Sequence, residues 1–180
     1  AVLDDDMKEL PLGEPGTLWF KPTSEFEYFN DTERTSEAYS KDKKLTTVWD
    51  VGYTDSEGFL YLTDRKTFMI ISGGVNIYPQ ECEDLLIPHP KIFDAAVFGV
   101  PNDDLGEEVK AVVQPVNGIE GDEELTKELL DYLSQHLSRQ KIPRSIDYID
   151  QIPRLPTGKL YKRLLRDKYW GKDSSNIIKN

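Results

Sequence analysis

Residues 60–83 read LYLTDRKTFMIISGGVNIYPQECE, and this stretch determines the fold around it. The charged segment Asp64–Lys66 separates two apolar, strand-like runs, and the second run ends at Gly73–Gly74. Pro79 then begins a predicted helix whose first turn contains acidic residues, where the helix dipole favours negative charge. A charged break followed by a double glycine predicts an open joint in the backbone.

Two interpretations of this joint follow from the residue types alone. Either Gly73 and Gly74 serve only a turn in a surface hairpin, or they leave room for a ligand that passes close to the backbone. Both stay open at this point, because a turn and a close ligand each favour a residue without a Cβ atom.

The same stretch resembles the segment that joins the large and small domains of adenylate-forming enzymes. This superfamily contains acyl-CoA synthetases, luciferases and peptide-synthetase adenylation domains. The string MIISGGVNIYP at residues 69–79 is similar to the form in bacterial fatty-acyl and aryl-CoA ligases. The strings VGYTDSEGFL at residues 51–60 and PTGK at residues 156–159 are also similar to superfamily motifs, and the resemblance extends to about Trp170.

The composition is that of a globular protein, with 38% hydrophobic and 31% charged residues among 180. A formal net charge of -11 argues against a nucleic-acid partner, because phosphates repel an acidic surface. No apolar run reaches the length of a membrane span, and the acidic start Asp4–Asp6 does not resemble a signal peptide. The single cysteine, Cys82, excludes an internal disulfide and predicts a buried thiol in a cytoplasmic protein.

The hydrophobic pattern predicts an α+β fold in two parts. Residues 1–64 read as short strands and turns, and residues 65–180 as a compact unit with a three-stranded sheet and packed helices. The resemblance implies that these parts are the β-rich end of a large N-terminal domain and a small, mobile C-terminal domain. In the small domain the pattern predicts helices at 79–87, 122–138 and 160–170 and strands at 93–100, 108–116 and 143–149. A leucine stripe on the helix at 122–138 is expected in the core.

The resemblance implies a nucleotide site at Asp50 and Arg65. Asp50 matches the aspartate that binds both ribose hydroxyls of ATP, and a carboxylate suits a diol because it accepts two hydrogen bonds. Arg65 matches the arginine that contacts the ribose and orients the domains; the alternative is a solvated surface arginine. Trp49 departs from the family, which usually has glycine there, and its indole is bulky beside a nucleotide.

The resemblance also implies a CoA site and a hinge. Gly73 and Gly74 belong to the loop that enters the active site in the second half-reaction, and Gly74 lines the tunnel for the pantetheine arm of CoA. The hinge is expected at Asp64 and Thr67. Thr67 is a second departure, because the family usually has aspartate or lysine at the pivot; a hinge needs no particular side chain.

Lys159 is the expected catalytic residue. A phosphate-binding P-loop is excluded, because the earlier glycine and the following serine or threonine of that motif are absent. The resemblance implies instead that Lys159 bridges the substrate carboxylate and the α-phosphate during adenylation, as a mobile cation between two anions. The last helix is basic, with Lys162, Arg163, Arg166 and Lys168. These cations either interact favourably with the negative C-terminal end of the helix dipole or form a patch that binds the phosphates of CoA.

The chain is therefore identified as the C-terminal part of an AMP-forming carboxylic or fatty acid–CoA ligase, expected to be inactive alone. The intact enzyme would use ATP, which becomes AMP, and CoA as substrates, with Mg²⁺ arriving on ATP, and its missing N-terminal domain would hold the acid pocket. No metal site is predicted, since His89 and His136 have no partner at ligand spacing. An adenylation domain that loads a carrier protein, a luciferase-like oxygenase and a free-standing binding module are the alternatives.

Overall fold

The computed structural model describes residues 1–170. The chain divides into two compact units, Ala1–Thr67 and a second unit that begins at Phe68. The sequence analysis placed a domain boundary after residue 64. Identifying the two units with the large and small domains of an adenylate-forming enzyme remains a proposal.

The first unit is built on a four-stranded antiparallel sheet in which neighbouring strands follow each other along the chain. Its elements are β1 (Val2–Leu3), β2 (Gly16–Leu18), α1 (Thr32–Glu37), β3 (Asp50–Thr54) and β4 (Leu60–Arg65). Asp31 caps α1 by accepting a hydrogen bond from the Arg34 amide at 3.0 Å. Between β3 and β4, Asp55 accepts from the Glu57 and Phe59 amides at 2.9 Å, so the predicted turn forms there.

The residues from Leu45 to Val51 read as a strand in the sequence, but Trp49 interrupts this run. Its backbone lies in the left-handed region, with φ 62°, and β3 starts at the next residue because a left-handed residue cannot continue an extended strand. The indole packs against Tyr28 and Arg34 of the same unit. The ring centroids of Trp49 and Tyr28 lie 5.9 Å apart, and the Arg34 guanidinium carbon lies 5.3 Å from the Trp49 ring centroid. Glycine would adopt this φ without strain.

The second unit has a five-stranded sheet. Its strands are β5 (Ile70–Ser72), β6 (Val75–Ile77), β7 (Ile92–Asn102), β8 (Gly106–Pro115) and β9 (Ser145–Tyr148), in the order β6-β5-β8-β7, with β9 parallel to β8. Its helices are α2 (Pro79–Leu86), α3 (Glu123–Ser134) and α4 (Lys162–Trp170), and a short 3-10 helix, Lys66–Phe68, joins the units.

The α+β class is confirmed, and the number of strands in the small sheet is corrected from three to five. The three predicted strands are β7, β8 and β9. The two additional strands form a short hairpin that joins the edge of β8 where Ser72 pairs with Gly106. Each of these strands has only three residues, which is too short for an alternating pattern to be recognised.

Helices cover both faces of this sheet. Because side chains alternate along a strand, Ala95 and Val97 of β7 face α2 and α3, whereas Ala96 and Phe98 face α4. The core on the first face includes Ile70, Ile77, Cys82, Leu86, Val109, Ala111 and Val113 together with the leucines of α3. The core on the second face adds Val112, Ile152 and Leu165. Polar side chains on this sheet therefore lie next to largely apolar layers on both faces.

Of the predicted leucine stripe of α3, Leu125, Leu129 and Leu133 lie in the core at 3%, 0% and 0% exposure, whereas Leu130 and Leu137 are only partly buried. Asp122 begins the helix by accepting from the Leu125 amide at 2.8 Å. The helix ends at Ser134, earlier than the predicted residue 138. It ends there because the amides of Gln135 and His136 donate to carbonyls three residues back, which tightens the final turn. His136 therefore lies beyond the helix.

Cys82 is buried at 2% exposure on the inner side of α2, as the sequence predicted. Burial, with Glu83 and Glu81 nearby, raises the pKa of its thiol to about 12. The thiol is therefore protonated and unreactive at neutral pH. Within residues 1–170, every helix is too short or too polar to cross a membrane.

Leu129→Ala is expected to lower the free energy of unfolding of the second unit by about 2–5 kcal/mol, because it leaves a cavity among fully buried side chains. Leu130→Ala, one position along the same helix and only half-buried, is the matched control and should cost clearly less. Chemical denaturation of both variants measures the difference; equal losses would contradict the described orientation of α3.

Trp49→Gly and Trp49→Ala are expected to differ by about 1–2 kcal/mol in favour of glycine, because both lose the indole contacts and only alanine keeps the left-handed strain. At an ordinary strand or helix position the order would be reversed. Thermal or chemical denaturation of the two variants checks this order, and an alanine variant as stable as the glycine variant would contradict it.

Candidate functional site

Asp50 and Arg65, the two expected nucleotide-binding residues, face each other across β3 and β4. Arg65 Nε lies 3.4 Å from Asp50 Oδ1, and the two side chains are 52% and 29% exposed. A partly exposed carboxylate beside a guanidinium offers acceptor and donor atoms side by side, the pattern that a ribose diol can bind. The structure thus brings these two residues together within the first unit.

The two expected hinge residues lie at the end of the first unit. Asp64 pairs with Val51 next to an irregularity in the β3–β4 register, and Thr67 is the central residue of the 3-10 helix Lys66–Phe68. The Lys66 amide donates to the Trp49 carbonyl at 2.8 Å, so the backbone is still tied to the first sheet at that point. Thr67 is the last residue of this unit.

Gly73 and Gly74 form the two-residue turn between β5 and β6. Both have positive φ, 56° and 80°, which two-residue hairpins require and which glycine tolerates best. The Gly73 amide donates to the Leu105 carbonyl at 2.9 Å, and a Cβ on Gly73 would lie 3.2 Å from Leu105 Cδ2. A Cβ on Gly74 would meet no atom within 4 Å, so that glycine is exposed on an open side of the turn.

The start of β8, directly after the β7–β8 turn, also bonds to this hairpin. Glu107 accepts a hydrogen bond from the Ile71 amide at 2.9 Å. Partial burial raises the pKa of Glu107, although the bond from Ile71 and the charge of Arg166 both act to lower it. The glycine turn is therefore tied to the sheet at two amides, those of Ile71 and Gly73.

Lys159 lies directly after the turn, residues 156–158, of a tight backbone hairpin. The Leu155 amide donates to the Lys159 carbonyl and the Gly158 amide to the Leu155 carbonyl, both at 2.8 Å. Gly158 has φ 84°, so the turn uses the glycine of the PTGK string for its backbone conformation. Lys159 is exposed, and within residues 1–170 no acidic side chain forms an ion pair with it.

Sequence reasoning missed Arg154, which lies at the base of the Lys159 hairpin. Its guanidinium donates two hydrogen bonds to Asp94, Nε to Oδ2 at 2.8 Å and NH2 to Oδ1 at 2.7 Å. The Asp94 side chain is 8% exposed. A usable signal was an aspartate in the otherwise apolar strand 93–100, because a buried carboxylate needs a partner.

Lys162 was grouped with the basic surface of the last helix, and the structure corrects this. Its ammonium pairs with Glu83 Oε1 at 2.8 Å, and the two side chains are only 6% and 4% exposed. It is buried because Glu83 lies on the inner face of α2 and requires a cation there. Arg163 pairs with Asp167 one turn along α4 at 3.5 Å, on the surface. Lys162 therefore cannot serve a surface patch.

Metal-ligating residues do not gather in the described part of the chain. Between residues 1 and 170 no group of three or more histidine, cysteine, aspartate or glutamate side chains could hold an ion. His89 lies near Glu128, with Nε2 3.8 Å from Oε1, and His136 bonds the Tyr132 carbonyl at 2.9 Å.

Comparison with known proteins shows which proteins this chain resembles. The AMP-binding enzyme C-terminal domain family matches residues 81–159. The long-chain-fatty-acid–CoA ligase of Yersinia pestis is 37% identical over 167 residues, which are 92% of this chain and 28% of that enzyme. The fatty acid–[acyl-carrier-protein] ligase ScoC of Streptomyces coeruleorubidus is 33% identical over 181 residues, 98% of this chain and 33% of that protein.

The solved structures show the same similarity. ATP-bound MatB from Rhodopseudomonas palustris superposes with a TM-score of 0.82 and 32% identity, over 93% of this chain and 33% of that one. The chain thus spans at most about a third of the length of these relatives. The matched family and the shared fold agree with the resemblance seen in the motifs. Residues 81–159 of this chain therefore belong to the AMP-binding enzyme C-terminal domain family, the family to which the sequence motifs pointed.

Proposed function

We propose that the chain is part of an AMP-forming acid–CoA ligase. The intact enzyme would join a carboxylate to ATP to give acyl-adenylate and pyrophosphate, and then transfer the acyl group to CoA with release of AMP. The observation that carries this proposal is Lys159, an exposed cation without an acidic partner in residues 1–170, directly after the turn of a hydrogen-bonded hairpin in an AMP-binding domain.

The roles of the site residues follow from their geometry. In the adenylation step the Lys159 ammonium would stabilise the negative charge that builds up between the carboxylate and the α-phosphate. Asp50 would accept hydrogen bonds from the ribose hydroxyls, and Arg65, 3.4 Å away, would hold the carboxylate in place and donate to the ribose. Mg²⁺ would enter with ATP, because the described residues offer no cluster to hold it alone.

The second step would use the glycine turn. Gly74 has open space where a Cβ would stand, so the backbone there can be approached closely by a thin chain such as pantetheine. We assign residues 1–64 to the end of the large domain and residues 65–180 to the small domain, with the rotation at Asp64 and Thr67. A short joint of this kind can absorb the change in backbone angles.

The acid is proposed to be a fatty acid, because both relatives described above are named for fatty-acid substrates. ScoC is named for an acyl-carrier-protein acceptor, which makes a carrier protein the second candidate acceptor. The open side of Gly74 supports CoA without deciding against a carrier, since both present a pantetheine arm. A cytoplasmic location is supported by the buried, reduced state of the single cysteine.

Lys159→Ala in the intact ligase is expected to slow acyl-adenylate formation by roughly 10²-fold or more, the effect of losing one preorganised charge, about 2.7–4 kcal/mol. Thioester formation from preformed acyl-adenylate should change far less. Single-turnover assays of the two half-reactions measure both. Lys127→Ala, an exposed lysine on α3, is the control and should leave both unchanged. A defect confined to the thioester step would move Lys159 to the CoA site.

Gly74→Leu in the intact ligase is expected to block thioester formation and leave adenylation largely intact, because the side chain would fill the path of the pantetheine arm. Gly118→Leu is the matched control: this glycine also has positive φ, 87°, and open space, so it carries the same backbone strain elsewhere in the second unit. The same two assays apply. Equal losses in both half-reactions would show that Gly74 serves only the turn.

A further inference from the structure

The Lys159 hairpin is anchored at both of its ends by buried carboxylates. At its start, Arg154 binds Asp94 of β7 with two hydrogen bonds. Just after it, Lys162 pairs with Glu83, whose Oε1 also accepts from the Val97 amide of β7 at 2.6 Å. Both anchors therefore lead to the same strand, β7, which pairs along its length with β8 and is covered by helices on its two faces.

A third hydrogen bond links the first anchor directly to the hairpin tip. Arg154 NH1 donates to the Gly158 carbonyl at 2.8 Å, so the guanidinium that holds Asp94 also holds the peptide that leads into Lys159. The main chain pairs Arg154 with Leu160 across the hairpin. One planar side chain thus connects the strand β7 with the residue before the expected catalytic lysine.

We propose that Arg154, held by Asp94, is a positioning residue for Lys159. Its role is to fix the backbone from which Lys159 projects, so that the ammonium meets the reacting oxygens without a search through other hairpin conformations. The inference rests on the proposed role of Lys159 in adenylation. It adds a residue pair, Arg154 and Asp94, that the motif comparison leaves without a function.

The chemistry of the pair fits a positioning role better than a direct catalytic one. Three of the guanidinium N–H groups are engaged within the protein, two with Asp94 and one with Gly158. The bond to Asp94 raises the pKa of Arg154, so this cation keeps its charge at every pH at which the enzyme works. A lysine could keep the charge but could not reach both partners with fixed, planar geometry.

The test is a double-mutant cycle in the intact ligase with Arg154→Lys and Lys159→Ala. Arg154→Lys is expected to slow adenylation by roughly 10- to 100-fold, the scale of a small misplacement of a catalytic group. It should leave the thioester step from preformed acyl-adenylate within about twofold. Asp94→Asn should reproduce this pattern. Lys91→Gln, which breaks the Lys91–Glu128 ion pair of the same unit, is the control and should leave both steps unchanged.

The decisive readout is non-additivity. If Arg154 acts through Lys159, the double variant Arg154→Lys/Lys159→Ala should be no slower in adenylation than Lys159→Ala alone. A further loss in the double variant, or equal losses in both half-reactions for Arg154→Lys, would overturn the positioning role. A Lys159→Ala variant with normal adenylation would overturn the proposed function, and this inference with it.

Hydrogen exchange separates the structural step from the catalytic one. The amides of Leu155, Gly158 and Tyr161 are bonded within or beside the hairpin, and their exchange should accelerate in Arg154→Lys and stay unchanged in Lys91→Gln. Unchanged exchange at these amides would overturn the anchoring by Arg154 and leave the assignment of Lys159 intact.

Discussion

A carboxylate buried beside a sheet is costly unless a cation pairs with it, and this constraint governs the second unit. The sheet is covered on both faces, and Asp94 and Glu83 lie within that cover at 5% and 3% exposure. Their partners, Arg154 and Lys162, stand on either side of the segment that carries Lys159. The need of these two buried carboxylates for a positive partner therefore sets the path of the exposed hairpin that carries Lys159.

The fold was largely predictable where the pattern is long. Ten or more residues of alternation or of helical spacing marked β7, β8 and α3, and the Asp122 cap gave the start of α3. The sequence marked β5 only as an apolar, strand-like run and gave no sign of β6, because three residues carry no usable period. It also extended a strand through Trp49, because propensity favours an aromatic residue in a strand and gives no sign of a left-handed backbone.

The candidate site was predictable only in its local parts. Contiguous strings pointed to Lys159, Gly74 and Asp50, because these residues lie in short motifs. The Arg154–Asp94 pair joins residues 60 positions apart, and such a contact depends on the packing of the sheet rather than on any local pattern. Lys162 looked like surface charge for the same reason, since its partner lies on another helix.

The deep burial of Cys82 makes this chain well suited to thiol labelling. With its only sulfhydryl protonated and shielded, a maleimide dye added at neutral pH would react with an engineered surface cysteine and leave the native one untouched. One dye on each unit would then report their separation by energy transfer. The proposed rotation of one unit against the other could thus be followed in solution without first replacing any residue of the core.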